Sequence, residues 1–507
     1  GTNRGQMMPV LARPLIVVST LVYFAACLGL GIWALRRTRS PHDFWVARQG
    51  LGVVVTGLAT MAAAFSGFVF LGGPGLTYRI GLSSLFINLS IGFTPALLAW
   101  ALAKRLRLLA EVREVYTIPD AFLARYGSRA ASGAAAVAVL IGVVGYLGTQ
   151  LLAMGTLLQA VLGLSLPAAV GVGLAVLLFY SVAGGMMAGV YTDVFQGALM
   201  VLAAVAVFGY AMAAGGGFSR VVHSIAASPR FGRPFLEPLG KTPALTAFGF
   251  FFVFGIGVLG QPHMLNKFYM IQDPRRLRWL PLVLGLSQTL CLLIWLGLGL
   301  AVPALVEQGK LAPLAKPDDA APAFLLGFAP EPLAGLAVAA ILAAIMSTAD
   351  SFMNLGAAAL VRDLPRAFRR KVGNELLWGR LATLGVTLAA AALALGYNDL
   401  IALLGTFSFG TFGAALAPAL AVGLNWRRVT AAAATASVIT GMALNLGLEF
   451  LARQTFFPAL PRPPLPPGAL PTAVSLAASF AVLLAVTAWT GRREPALPED
   501  ISAVMEA

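Results

Sequence analysis

The feature that most constrains this chain is a succession of apolar runs, each long enough to cross a bilayer. They fall near 14–35, 52–75, 80–103, 130–164, 166–182, 190–214, 245–272, 279–303, 331–361, 377–396, 399–424, 429–451 and 469–490. A helix rises about 1.5 Å per residue, so roughly 20 apolar residues cross a hydrocarbon core about 30 Å thick. In hydrocarbon each backbone N–H and C=O must find its partner within the protein, which makes helices the natural form for such runs. The sequence therefore predicts an all-α, polytopic membrane protein of thirteen helices. Composition agrees, with 59% hydrophobic residues, 11% charged and a mean hydropathy of +0.85. Soluble domains carry roughly 45–50% apolar and about 25% charged residues, so a soluble enzyme, a secreted disulfide scaffold and a disordered chain are excluded. Cys27 and Cys291 both lie in apolar runs and spell no disulfide or metal framework.

The net charge of +15 takes its meaning from its placement. With thirteen spans and the N-terminus outside, most Lys and Arg residues fall on the inner side. These include Arg36, Arg37, Arg39, Arg48, Lys104, Arg105, Lys267, Arg275, Arg362, Arg366, Arg427, Arg428, Arg492 and Arg493. That follows the positive-inside rule, so the inner cell membrane with a cytoplasmic C-terminus is expected. Anionic lipid is the one partner this charge implies, with no nucleic acid and no obligate protein partner. The first run exceeds a signal-peptide core and is followed at once by Arg36-Arg37-Thr38-Arg39, so it reads as a retained span. Pro461-Arg462-Pro463-Pro464-Leu465-Pro466-Pro467 reads as a stiff outer connector.

Two runs are interrupted at mid-depth. The second contains Ala64-Phe65-Ser66-Gly67 and then Gly72-Gly73-Pro74-Gly75; the seventh contains Gly255 to Gly260 and then Gln261-Pro262-His263. Pro262 lacks an N–H, so backbone groups near Val258 are expected to be freed. Freed groups in hydrocarbon cost several kcal/mol unless they line a cavity or meet a ligand. Five runs starting at each interruption, ending near 214 and 424, point to a secondary transporter built from two inverted repeats. Glycine packing with one proline kink is the plainer reading of the same residues.

Two carboxylates fall deep in apolar runs, Asp193 and Asp350. Each costs on the order of 2.5–3.5 kcal/mol at mid-bilayer, so each needs a cation, a proton or a partner. Ser347, Asp350 and Ser351 are spaced i, i+3, i+4, with Thr348 flanking them. On a helix that makes a strip of hard oxygen ligands, suited to an alkali or alkaline-earth cation. The plainer readings are helix-packing serines and, for Asp193, a carboxylate in the first turn of its helix.

Gly184-Gly185 through Tyr191-Thr192-Asp193-Val194-Phe195-Gln196, together with Ala344-Ile345-Met346-Ser347-Thr348-Ala349-Asp350-Ser351, resembles two segments of the sodium/solute symporter family. Gly260-Gln261-Pro262-His263 and Phe409 to Pro418 resemble its sodium/proline branch. The resemblance implies a leucine-transporter-like core of five plus five helices in inverted repeat. Residues 1–51 hold one extra helix, 52–214 the first repeat, 215–244 an extracellular loop, 245–424 the second repeat, and 425–507 two further helices and a short cytoplasmic tail. It implies a Na+ site formed by the carbonyls of Ala62, Phe65 and Ala344 and the hydroxyls of Ser347 and Thr348. A second Na+ site of some relatives maps to Asp193, Ser347, Asp350 and Ser351. The chain departs from proline-type members at Ala64, where they carry an aspartate, and at Phe254 and Val258, where their aromatic pattern is altered. Proline specificity therefore does not follow from the resemblance.

The space between the interruptions is expected to be walled by Ser66, Gly67, Phe68, Asn88, Tyr146, Gln150, Phe254, Gln261 and Phe407, with no Arg or Lys. Free amides at Ser66–Gly67 would meet one carboxylate, which favours a small amino acid or short monocarboxylate over a sugar. The expected function is sodium-coupled symport of such a small-molecule solute by alternating access. The alternatives are a transporter-like solute sensor, for which 491–507 leaves no room for a kinase, and proton-coupled uptake through Asp193, Asp350 and His263. No metal cluster, nucleophile elbow or phosphate loop supports an enzyme.

Overall fold

The computed structural model describes residues 13–35, 51–397, 399–453, 465–490 and 497–506. The expectations on Arg36, Arg37, Arg39, Arg48, Arg492, Arg493 and Pro461 to Pro464 lie outside these residues, as do those on the side chains of 184–191. Among the described residues there is no strand, only an isolated bridge between Leu51 and Ile271.

Helix α1 (Pro14–Leu35) is followed by α2 (Val53–Ala64), a break at Phe65–Gly67, a π-turn over Phe68–Gly72 and α3 (Gly73–Ile80). Gly81, at φ +70, ends α3 in a conformation that glycine adopts readily. The expected third span, 80–103, is a chain of short 3-10, α and π turns leading into a helix over Lys104–Val112. Helices α4 (Ile118–Tyr126), α5 (Arg129–Leu162) and α6 (Leu166–Ala214) complete the first half. After Phe218–Ala226 and Gly232–Leu236, α7 (Ala244–Gly257) runs through a 3-10 turn to a break at Gln261 and α8 (Pro262–Leu265). Then come α9 (Leu280–Glu307), α10 (Glu331–Ala358), α11 (Glu375–Gly396), α12 (Ile401–Ala421), α13 (Ala431–Arg453), α14 (Pro471–Thr490) and α15 (Glu499–Glu506).

Both expected interruptions are present. The chain bends by 56° between Val53–Ala64 and Phe68–Gly92, and by 47° between Ala244–Gly260 and Pro262–Met270. The thirteen-helix count is not reproduced, because the expected fifth and sixth spans form the single helix α6. The residues between them, 183–189, include glycines but no proline, so every amide can continue the ladder. At about 1.5 Å per residue α6 reaches over about 70 Å, and only Leu166–Leu178 and Thr192–Ala214 are its apolar ends.

Helix α10 is the central post. From Ala337 to Ala349 its residues are buried, and it packs on α1, α5, α6 and α11. Small residues make this close approach possible. Where α7 meets α12 the same device appears: a Cβ on Gly413 would lie 2.7 Å from the Gly257 Cα.

Candidate functional site

The first break lies directly beside the hydroxyls of α10. Phe65 leaves the helix in an extended conformation (φ −92, ψ 108), so the carbonyls one turn before it lose their regular partners. Ser347 Oγ donates to the Ala62 carbonyl at 2.8 Å and approaches the Ala344 carbonyl at 3.3 Å; Thr348 Oγ1 donates to the Ala63 carbonyl at 3.0 Å. Ser347 and Thr348 are buried. Ala62, Ala344, Ser347 and Thr348 are thus brought to one place, with Phe65 at the break itself. Ala63 was missed in the sequence. The sequence carried no signal for it, because the diversion of the Gly67 amide four residues on arises only from packing against α5.

That diversion corrects the expectation of free amides. The Gly67 N–H donates to Gln150 Oε1 at 3.0 Å, and the Phe68 N–H to Ser66 Oγ at 3.2 Å. Ser66 also accepts, on its carbonyl, the amides of Val69 and Phe70. A side-chain amide from α5 therefore occupies the position where a solute carboxylate was expected.

Around this break lies an aromatic column. Phe68 stacks on Phe254 with centroids 5.5 Å apart, Phe254 stacks on Phe409 at 4.4 Å, and Trp295 meets Phe68 edge-on at 5.8 Å. Phe409 and Trp295 were not foreseen, because single aromatics in an apolar run carry no signal of which face is inward. Phe407 is half-buried beside Gly145, next to Tyr146 on α5, and Tyr146 lies against His263 and Phe352. Asn88 is half-buried, with an amide nitrogen that has no protein partner, and its short helix Phe86–Leu89 packs on α7, which carries Phe254.

At the second break the freed backbone is closed by its own residues. The Gln261 N–H donates to the Val258 carbonyl at 3.2 Å, so that carbonyl is not free as expected. Gln261 Nε2 donates to the carbonyls of Gly257 (3.0 Å) and Phe409 (2.9 Å), while its Oε1 is buried without a partner. Gly260 sits tightly on α12: a Cβ there would lie 2.5 Å from the Phe412 oxygen.

Asp193 lies well inside α6, so the first-turn reading is overturned. Its partner is Lys267, with Nζ 2.5 Å from Oδ2 and both side chains buried. Lys267, read from the sequence only as one of the inner-side charges, is buried against α6. Lys267 also lines a cavity of about 20 Å³ together with Asp350, Ser351, His263, Asn266 and Asn354. Of the second expected set, Asp350 and Ser351 meet at this cavity, and Ser347 is turned to Ala62 instead.

Ion pairs latch both ends of the molecule. At one end Arg79 pairs with Asp399 at 2.8 Å, and Asp318 Oδ2 accepts the Ile401 N–H at 2.9 Å. At the other, Asp120 holds Arg362 at 3.0 Å and Arg366 at 2.9 Å, and Thr117 donates to Asp363. Helix α15 straps this second end, with Asp500 on Arg113, Glu506 on Arg427 and Ile501 buried.

Residues 44–441 match the family model described as the sodium:solute symporter family. The osmoregulated proline transporter OpuE of Bacillus subtilis is 30% identical over 438 residues, covering 85% of this chain and 88% of that one. The sodium/proline symporter of Salmonella typhimurium is 29% identical over 438 residues, covering 84% and 86%. Among solved structures, a substrate-bound, outward-open Na+-coupled sialic acid symporter aligns with a TM-score of 0.75 at 17% identity, over 95% of this chain and 99% of that one. MhsT in complex with L-phenylalanine aligns with a TM-score of 0.54 at 13% identity, over 88% and 99%. The fold is therefore the leucine-transporter-like one.

Proposed function

The chain belongs to the sodium:solute symporter family, and from that premise we propose that its coupling ion is held between the first break and α10. It is a multi-pass membrane protein and a sodium-coupled symporter of a small solute, not an enzyme. The ligands we assign to Na+ are the carbonyls of Ala62, Phe65 and Ala344 with the hydroxyls of Ser347 and Thr348. The observation that carries this reading is the pair of hydroxyls reaching across to the carbonyls of Ala62 and Ala63. A sodium ion seated there would take up the same hydroxyl and carbonyl oxygens, replacing a few hydrogen bonds with coordination by unwound backbone.

The solute is a small zwitterionic amino acid, with L-proline the first candidate because the relatives above are named for proline. It lies between the breaks, against Ser66, Gly67, Phe68, Tyr146, Gln150, Phe254, Gln261 and the half-buried Asn88 and Phe407. Its carboxylate displaces Gln150 Oε1 from the Gly67 N–H, and the Phe68–Phe254 stack parts to admit its side chain. Ion and solute share the α2–α3 break, so each raises the other's affinity by the same factor. Opening at the Arg79–Asp399 end loads both ligands. Opening at the Asp120–Arg362 end draws α10 from α2 and releases them.

The two repeats are 52–214 and 245–424, with 1–51 before them, 215–244 as the outer loop and 425–507 after them. The basic end carrying Arg362, Arg366, Arg369, Arg370, Arg427 and Arg428 faces the cytoplasm and anionic lipid. Arg13, at the start of α1, bonds the carbonyls of Leu325 and Ala329 near the Asp318 end, which supports an outer N-terminus. The test is uptake of radiolabelled L-proline and a panel of amino acids and monocarboxylates into proteoliposomes under an inward sodium gradient. Sodium-driven accumulation of one of them is expected. Accumulation driven only by a pH gradient would overturn sodium as the ion.

A further inference from the structure

The carboxylate of Asp193 already carries a cation. Lys267 Nζ lies 2.5 Å from it, with side-chain exposures of 6% and 4%. Lys267 sits in the turn Asn266–Met270 that extends the second broken helix, while Asp193 sits on α6, so the pair joins two elements. A buried ammonium or carboxylate is tolerated when each neutralises the other, and removing one partner leaves the other as an uncompensated charge.

The neighbouring cavity of about 20 Å³, lined by Lys267, Asp350, Ser351 and His263, has room for one water-sized group. With the Lys267 ammonium already on Asp193, a sodium ion beside that carboxylate would add a charge that this low-dielectric interior opposes.

We propose that Lys267 is a tethered ammonium occupying the place of a second coupling ion on Asp193, so that the transporter works with a single sodium ion. This rests on the sodium site proposed above at Ala62, Ser347 and Thr348. The tethered cation never dissociates. It fixes α6 to the turn that follows the second break and adds no gradient energy to the transport step.

The test is equilibrium binding of radioactive sodium to the purified chain without solute. The wild type is expected to bind one ion per chain, with a non-cooperative curve. Lys267→Gln opens the Asp193 carboxylate, and two ions per chain are expected, with a steeper curve. Should that variant fail to fold, the double change Asp193→Asn with Lys267→Gln removes both charges, and one ion is expected. Two ions bound to the wild type would overturn the proposal while leaving the first site standing. So would one ion bound to Lys267→Gln, or two bound to the double variant. A wild type that binds no sodium would overturn the first site and this proposal with it.

Discussion

At the first break the carbonyls of Ala62 and Ala63 meet hydroxyls from another helix, whereas at the second the carbonyls of Gly257 and Val258 meet groups of their own segment. The two sites read alike in sequence, each a glycine-rich stretch ending near a proline, and they serve opposite ends. Hydroxyl partners are exchangeable: each oxygen has lone pairs that turn from a hydrogen bond to a cation at little cost. A self-closing turn with Gly260 pressed on the Phe412 carbonyl is fixed, and it acts as a fulcrum. Ion binding is therefore expected at the first break and mechanical support at the second.

The comparison is broken most severely by removing the hydroxyls. Ser347→Ala should raise the sodium concentration for half-maximal uptake about tenfold, equivalent to about 1.4 kcal/mol. Adding Thr348→Ala should abolish sodium stimulation, read as uptake against sodium at matched protein abundance. Gly260→Ala should instead lower the thermal unfolding temperature, since overpacking costs about 1–3 kcal/mol. The sodium dependence of the surviving protein should be unchanged. Gln261→Leu withdraws a donor from two carbonyls and should weaken solute binding several-fold, measured by competition, again without moving the sodium curve.

The smallest effect is on pH. Burial raises the Asp318 carboxyl to about 7, the Ile401 N–H opposes that rise, and Asp319 and Asp399 reinforce it. A carboxyl that holds its proton more tightly when covered favours the closed arrangement as pH falls through 7 toward the ordinary value of 3.8. External acidification from pH 8 to 6 should therefore slow outer opening and weaken apparent sodium affinity by a few-fold. Asp318→Asn should flatten that dependence.

The fold was legible because apolar length and interruption are one-dimensional signals: both broken helices lie where Phe65–Gly67 and Gln261-Pro262 placed them. The union of 166–182 with 190–214 was hidden, because glycine without proline permits either a turn or a continuous helix. Ser347 was readable from its spacing with Asp350 and Ser351, whereas Thr348 only flanked that face and entered through the family resemblance. Lys267 was not readable, because a lysine beside Arg275 and Arg276 in sequence reads as a surface charge, and only three-dimensional packing brings it to Asp193. Gln150 on Gly67 was likewise hidden, since it joins helices far apart in the chain.

Sodium held between the first break and α10 is best checked by titrating sodium against thermal unfolding of the purified protein, without solute, for the wild type, for Ser347→Ala with Thr348→Ala, and for Gln261→Leu. An ion that binds the folded state raises its stability by mass action. A sodium-dependent rise is expected in the wild type and in Gln261→Leu, and none in the double alanine variant. An undiminished rise without the two hydroxyls, or its loss in Gln261→Leu alone, would contradict it.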